Sequence, residues 1–347
     1  MVRFCKSRLI GDVVRTSLLL AAALAATAHA PVAQANAPAA ALANPRPILW
    51  IDPIDIKERN LYYGPGGREH QPREPFTFLK EDKEGTNPKF DVRDAAGTKW
   101  KAKLGIEAQP ETVASRLLWA VGFVANENYL VEDVKIEEMP RLNRGRKLVE
   151  RDGRIHWVRL QKAPRDTGEK LGRWKWKHNP FKGTREFNGL RIMMALINNW
   201  DLKDSNTAIY AGRKNDTQLY EVSDLGSSFG RTGQSYRANR AKNNLPGYQH
   251  SKFISKVTRE YVSFDVPSHL SYVYIFRFTL FISEKHQRWI GQRIPRADVK
   301  WMASLLSQLS PEQIRDAFRA GGYSPGQVEA YAATVEARIA ELNRLSG

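Results

Sequence analysis

Asp201, Lys203 and Asn206 stand in a D-x-K-x-x-N spacing, and Asp224-Leu225-Gly226 begins eighteen residues after Asn206. These residue types in this order suit phosphoryl transfer. The Asp201 carboxylate would orient or deprotonate an acceptor hydroxyl, and Lys203 would neutralise charge on the transferring phosphate. The Asn206 amide oxygen and the Asp224 carboxylate would hold Mg²⁺ between phosphate oxygens. Gly226 would let the chain turn sharply away from the metal. With ordinary residue frequencies, D-x-K-x-x-N arises in roughly one chain in twenty-five of this length. An Asp-apolar-Gly within the next thirty residues lowers that to about one in a thousand. Read as structure alone, the same residues cap a turn, start a strand and form an ordinary turn.

The elements that must position these residues are coarsely legible. Pro75–Leu79, Lys89–Arg93 and Thr98–Leu104 read as strands, with a polar loop at 81–88 and a turn at Asp94-Ala95-Ala96-Gly97. Pro110 sits where a first-turn proline belongs. Val113, Leu117, Ala120 and Val121 recur at helical spacing, and Gly122 stops the run. Tyr129–Ile136 reads as a strand. Lys147–Glu150 and Arg154–Leu160 flank Asp152-Gly153, a hairpin signal. Thr184 caps a predicted helix through Leu190, Met193, Met194 and Ile197. Two short apolar runs, Thr207–Tyr210 and Leu219–Val222, follow it. Ser310-Pro311-Glu312-Gln313 and Ser324-Pro325-Gly326-Gln327 carry the N-terminal capping pattern, and the last hundred residues read as helical. The fold class is α+β, with a β-rich first half and a mainly helical second half.

The segment Asn199-Trp200-Asp201-Leu202-Lys203-Asp204-Ser205-Asn206, followed by Ser223-Asp224-Leu225-Gly226, resembles the catalytic loop and metal-binding DFG element of the protein-kinase-like superfamily. The spacing of Asn199, Asp201 and Asn206 is most similar to that of HipA-type kinases and other atypical members. The resemblance covers about residues 75 to 230. It implies a two-lobed fold, with a β-rich N-lobe and a mainly helical C-lobe around ATP (or another nucleotide) and Mg²⁺. It implies that Asp201 is the catalytic base, Lys203 the phosphate-side lysine, and Asn206 and Asp224 the Mg²⁺ ligands. The third strand would supply the nucleotide lysine. Lys103 is preferred because Gly105 ends the strand after it, and Lys101 on the same strand face is the alternative. The partner acid would be Glu111 on the first turn of the helix, with Glu107 as the alternative. No G-x-G-x-x-G lies between the first two strands, so Gly85, Thr86, Asn87 and Lys89 are the only candidates for touching phosphates there. Trp200 stands where conventional protein kinases carry Arg, and Leu225 where they carry Phe. The acceptor would be a hydroxyl on a protein, a sugar or another anionic molecule. Nucleic acid is not expected.

The chain has 347 residues, of which 42% are apolar and 26% charged, so wholesale disorder is excluded. Its formal charge of +17 predicts affinity for anionic partners. A single cysteine excludes a disulfide scaffold and a Cys-based zinc site. Arg3, Lys6, Arg8 and Arg15 precede a short apolar core at Ser17–Thr27, and Ala28-His29-Ala30 and Ala35-Asn36-Ala37 each fit a small-x-small cleavage site. The predicted organisation is a signal peptide and start of leader at 1–36, and a flexible leader and edge strand at 37–74. The N-lobe follows at 75–163 and the C-lobe at 164–347. The protein would be exported, periplasmic or extracellular, with no stable membrane span once the signal is cleaved. Export places it where free ATP is scarce. Nucleotidyl transfer, or a catalytically inactive kinase-like protein, therefore stands as an alternative.

Two basic stretches carry further readings. Ser227–Lys256 holds Arg231, Arg237, Arg240, Lys242, Lys252 and Lys256 and no acid. It reads either as a solvated loop or as a seat for an anionic substrate. Arg173-Trp174-Lys175-Trp176-Lys177-His178 alternates cation and ring, so an extended chain would set charges on one face and rings on the other. The ring face is either core or a stacking surface, and the latter would make the chain a secreted binder of anionic polymer. The histidines lack metal-ligand spacing, and no G-x-S-x-G or P-loop motif occurs.

Overall fold

The computed structural model describes residues 44–84, 87–213, 216–231, 242–266 and 287–345. The signal-peptide reading of residues 1–36, with 37–43, lies outside the described residues. The described chain begins with β1 (Arg46–Ile48) and single 3-10 turns at Ile56–Glu58 and Gly64–Gly66. Leu49, Ile56 and Leu61 are buried. Residues 44–74 are therefore built into the fold, where the sequence predicts leader and edge strand. The apolar run at 48–56 reaches the core mostly from turns rather than from an extended strand.

Five strands then close into a barrel: β2 (Phe76–Asp82), β3 (Lys89–Arg93), β4 (Lys99–Lys103), β5 (Glu127–Glu137) and β6 (Arg154–Lys162), in the order β2-β3-β4-β6-β5. Period-two alternation puts Phe90, Val92, Trp100 and Ala102 into the barrel's own apolar core, with Phe76, Ile136, Val158 and Leu160. The intervening positions carry charge: Lys89 lies opposite Lys103, and Asp91 opposite Lys101. A parallel pairing of Phe76 with Ile136 closes the ring. The hairpin partner of β6 is β5, not Lys147–Glu150. That segment forms a 3-10 turn at Arg146–Leu148 and a single bridge from Val149 to Ile155. The longer, β-branched β5 offers a continuous ladder that the short segment cannot match.

Between β4 and β5 runs α1 (Ala108–Ala120), with Pro110 in its first turn and Gly122 at φ +95° just beyond its end. Val113, Leu117, Leu118 and Val121 bury in a second, larger core shared with the C-terminal helices, not in the barrel. The second half continues with β7 (Thr167–Gly172), α2 (Arg185–Leu196), β8 (Thr207–Gly212), β9 (Thr217–Val222) and α3 (Leu245–Gln249). Then come β10 (Ile254–Val257), β11 (Tyr261–Phe264), β12 (Ile294–Pro295), α4 (Arg296–Leu306), α5 (Pro311–Ala320) and α6 (Pro325–Arg344). Thr184 caps α2 through its side chain, and Ser310 and Ser324 form capping boxes with Gln313 and Gln327, as expected. The fold is α+β. Its second half carries more strand than predicted: β1-β9-β8-β7 form one sheet with β1 at its edge, and β10-β11-β12 form another. Among the described residues, no helix is long and apolar enough to cross a membrane.

Candidate active site

Lys103 is the last residue of β4, and its ammonium gathers acids from three places. Its Nζ donates to Glu111 Oε2 at 2.8 Å and to Asp224 Oδ1 at 3.1 Å, and it pairs with Glu107 Oε2 at 2.9 Å. Gly105, at φ +85°, turns the chain from β4 into α1. Glu107 immediately precedes that helix and Glu111 lies in its first turn, so the four-residue spacing sets both carboxylates on one side. The structure places the alternatives left open by the sequence differently. Both Glu107 and Glu111 hold the lysine. Lys101 instead pairs with Asp82 at 2.6 Å and Asp91 at 3.3 Å.

Arg159 of β6 completes the cluster and was not found from sequence. The register sets Lys103 directly opposite Arg159, and Glu111 Oε1 pairs with Arg159 Nη1 at 3.0 Å. Two like charges across a ladder repel, and the shared carboxylate is what makes the pairing tolerable. The available signal was an arginine inside the apolar run Trp157–Leu160, but its partner depends on barrel closure. Burial pulls the Lys103 pKa down, yet Glu111, Asp224 and Glu107 together raise it above the ordinary lysine range. Burial raises the Glu111 carboxyl above its usual value against the pull of Arg159 and Lys103. At Asp224 burial also pushes upward, but the Lys103 charge and hydrogen bond win and hold the group at about 2.

Asp224 follows β9, and the Gly226 N–H donates to its Oδ1 at 3.2 Å. A Cβ on Gly226 would stand 2.6 Å from the Glu107 Cβ, so close approach to the start of α1 requires glycine there. Asn206 ties the two motifs together. Its Nδ2 donates to the Asp201 carbonyl at 2.8 Å, and its own carbonyl accepts the Ser223 N–H at 2.9 Å and the Asp224 N–H at 3.4 Å. Asn199 Oδ1 accepts the Asp201 N–H at 3.1 Å. Asp201 and Lys203 pair with each other at 2.7 Å and are partly exposed.

The phosphate-loop candidates divide. Asn87 Nδ2 donates to Glu107, which brings that residue to the cluster. Lys89 stays on the barrel, pairing with Asp82 at 3.4 Å. Gly85 and Thr86 lie outside the described residues. Of the basic stretch, Lys242 pairs with Glu107. Arg237 and Arg240 lie outside the described residues. In the alternating stretch, Trp174 and Trp176 are buried in the larger core and Trp174 Nε1 donates to the Glu221 carbonyl at 2.8 Å. Arg173, Lys175 and Lys177 are exposed. The stacking surface that a polymer binder would need is therefore absent from these two rings.

Glu221 of β9 is a buried acid that sequence reasoning missed. Its Oε1 accepts the Asn126 N–H at 3.0 Å, while its Oε2 has no partner among the described residues. Burial pushes its pKa from an ordinary 4.5 to about 8. The folded state thus binds a proton that the unfolded state has released. Stability contributed by this group falls as pH rises from about 4.5 to about 8 and is flat above that. Urea unfolding at pH 5 and pH 8.5 should show that loss, and Glu221→Gln should remove this part of the slope. An unchanged slope in the variant would assign the pH dependence elsewhere.

No protein-family model matches the sequence, and no curated protein matches it. A crystal structure of the Helicobacter pylori proinflammatory kinase CtkA aligns with 77% of this chain and 93% of its own, at a TM-score of 0.40 and 10% identity.

Proposed function

We propose that the chain is an exported, ATP- and Mg²⁺-dependent phosphotransferase of kinase-like, two-lobed fold, acting on a hydroxyl of an anionic acceptor. One observation carries the reading: Lys103 on a barrel strand meets both Glu111 on the following helix and Asp224, 121 residues later. Chance turn residues have no reason to converge on one buried ammonium. Export is supported by the basic start and apolar core of the N-terminus.

The donor set suits magnesium. Asp224 and Asn206 offer hard oxygens on adjoining segments. Among the described residues, no three His, Cys, Asp or Glu side chains group to hold a metal unaided. Mg²⁺ commonly takes one or two protein ligands and completes its shell with phosphate oxygens and water. When bound, the ion would neutralise charge on the transferring phosphate. Lys103 would bind nucleotide phosphates, with Glu111 and Arg159 fixing its position. Asp201 would orient the acceptor hydroxyl and take its proton, with Asn199 and Asn206 bracing its backbone.

Asp201→Asn should lower phosphoryl transfer from labelled ATP by about 10²- to 10⁴-fold, the usual contribution of a positioned base. Stabilisation of the fold by ATP and Mg²⁺ should survive, because Asp201 makes no side-chain contact with Lys103 or Asp224. Full activity in this variant would end the assignment of Asp201 as the base.

A further inference from the structure

A cavity of about 670 Å³, in the size range of small-molecule sites, is lined by none of the residues of the Lys103 cluster. Its wall includes Tyr62, Arg116 of α1, Tyr129 of β5, Trp157 of β6, and Arg319 and Tyr323 from the end of α5 and the turn beyond it. Three observations there point to a ligand.

The first is an uncompensated charge. Arg116 is buried, and its donors go to neutral acceptors. These are the Tyr62 carbonyl at 3.2 and 3.3 Å, the Thr112 carbonyl at 3.1 Å, Asn128 Oδ1 at 2.9 Å and the Asn128 carbonyl at 3.1 Å. No carboxylate among the described residues pairs with it, and because these bonds take all five of its N–H donors, it offers a nearby ligand its charge and not a hydrogen bond. A buried cation without a counter-ion is costly, and burial pulls this guanidinium down to about 10. Glu132 also borders the cavity but forms no ion pair with Arg116.

The second is strain. Trp157 sits in a strand at φ +56°, a region that bulky residues rarely adopt. A Cβ on Gly322 would come within 2.2 Å of its ring, so the indole is seated against backbone that only glycine leaves open. Strain of this kind persists where the surroundings impose it, often at binding sites.

The third is an exchangeable cation. Arg319 at the rim is held by Glu312 and by Asp316 at 2.7 Å in half-exposed pairs of the kind that contribute little. Both pairs run through Nη1, which leaves Nε and Nη2 of its fork without a partner among the described residues.

We propose that this cavity binds a small planar aromatic anion, an aryl carboxylate or sulfonate, with its ring against the Trp157–Tyr323 wall and its acid group toward Arg319 and the Arg116 charge. The site stands independently of the kinase reading. The probe is 8-anilinonaphthalene-1-sulfonate, followed by fluorescence on the whole chain. Saturable binding of one dye per chain is expected, competed by benzoate but not by uncharged phenol, and unaffected by ATP with Mg²⁺. Ala320→Trp fills the cavity from the last residue of α5, and Arg319→Gln removes the rim charge. Each should weaken binding by about tenfold, the worth of one good charge-assisted contact. Melting temperatures check that both variants fold, and the surface Arg319→Gln keeps the test open if Ala320→Trp does not. Non-saturating dye signal, equal binding by folded variants, competition by phenol, or displacement by ATP would each overturn the site.

Discussion

Asp224→Ala should melt at one temperature with or without ATP and Mg²⁺, whereas the parent chain should gain roughly 5 °C. Ligand at a hundred times its Kd adds about 2.7 kcal/mol to the folded state. For a domain of this size, each kcal/mol moves the midpoint by about 2 °C. The variant loses this because Asp224 is the acid placed both against Lys103 and beside Asn206. The ligand-free variant should still fold, since Lys103 keeps Glu107 and Glu111. A full nucleotide shift in Asp224→Ala would remove Asp224 from the metal site. No shift in either protein would remove the nucleotide site altogether. This outcome is separable from the dye experiment, which reads a different cavity.

Glu111→Gln should cost about 3–5 kcal/mol of stability, the usual result of taking one partner from a buried ion pair. Glutamine keeps the length and can still hydrogen-bond, so the loss isolates charge. Glu111 is the only carboxylate among the described residues paired with Arg159, and it also holds Lys103. Without it, two cations face each other across adjacent strands, and Arg159 Nε already lacks a partner. Urea denaturation should show a lower midpoint with an unchanged slope. Glu111→Gln with Arg159→Met should recover more than half of the loss, because the stranded charge goes with it. A cost below about 1 kcal/mol would mean that the pair behaves like an exposed one.

What the sequence revealed was mostly local. The strand-like runs Lys89–Arg93 and Thr98–Leu104 located β3 and β4, and Pro110 with Gly122 bounded α1. The caps at Thr184, Ser310 and Ser324 worked for the same reason: a cap is decided within four residues. Lys103 and Glu111 entered through the family resemblance, with Lys101 and Glu107 open beside them, and a strand end, a glycine turn and a helix start within nine residues bring Lys103 and Glu111 together. Arg159 was not reachable, since its role exists only once β6 inserts between β4 and β5. Leu49 and Ile56 read as edge strand rather than as core, because short apolar runs gain meaning only from what covers them. Alternation in Arg173–His178 was legible, but which face met the core depended on Phe187 and the β8–β9 sheet.

The three acids around Lys103 have a consequence for how anything reaches it. Lys103, Arg159 and Lys242 face Glu107, Glu111 and Asp224, so the cluster is already electrically balanced. On the proposed reading, a nucleotide would bring net negative charge to a place with no spare positive charge. Its arrival would be an exchange of ligands, in which phosphate oxygens displace Asp224 from the lysine. The acid set free would then need a cation of its own. Nucleotide and divalent ion would thereby be obliged to arrive as partners, because either one alone would leave a charge unmatched.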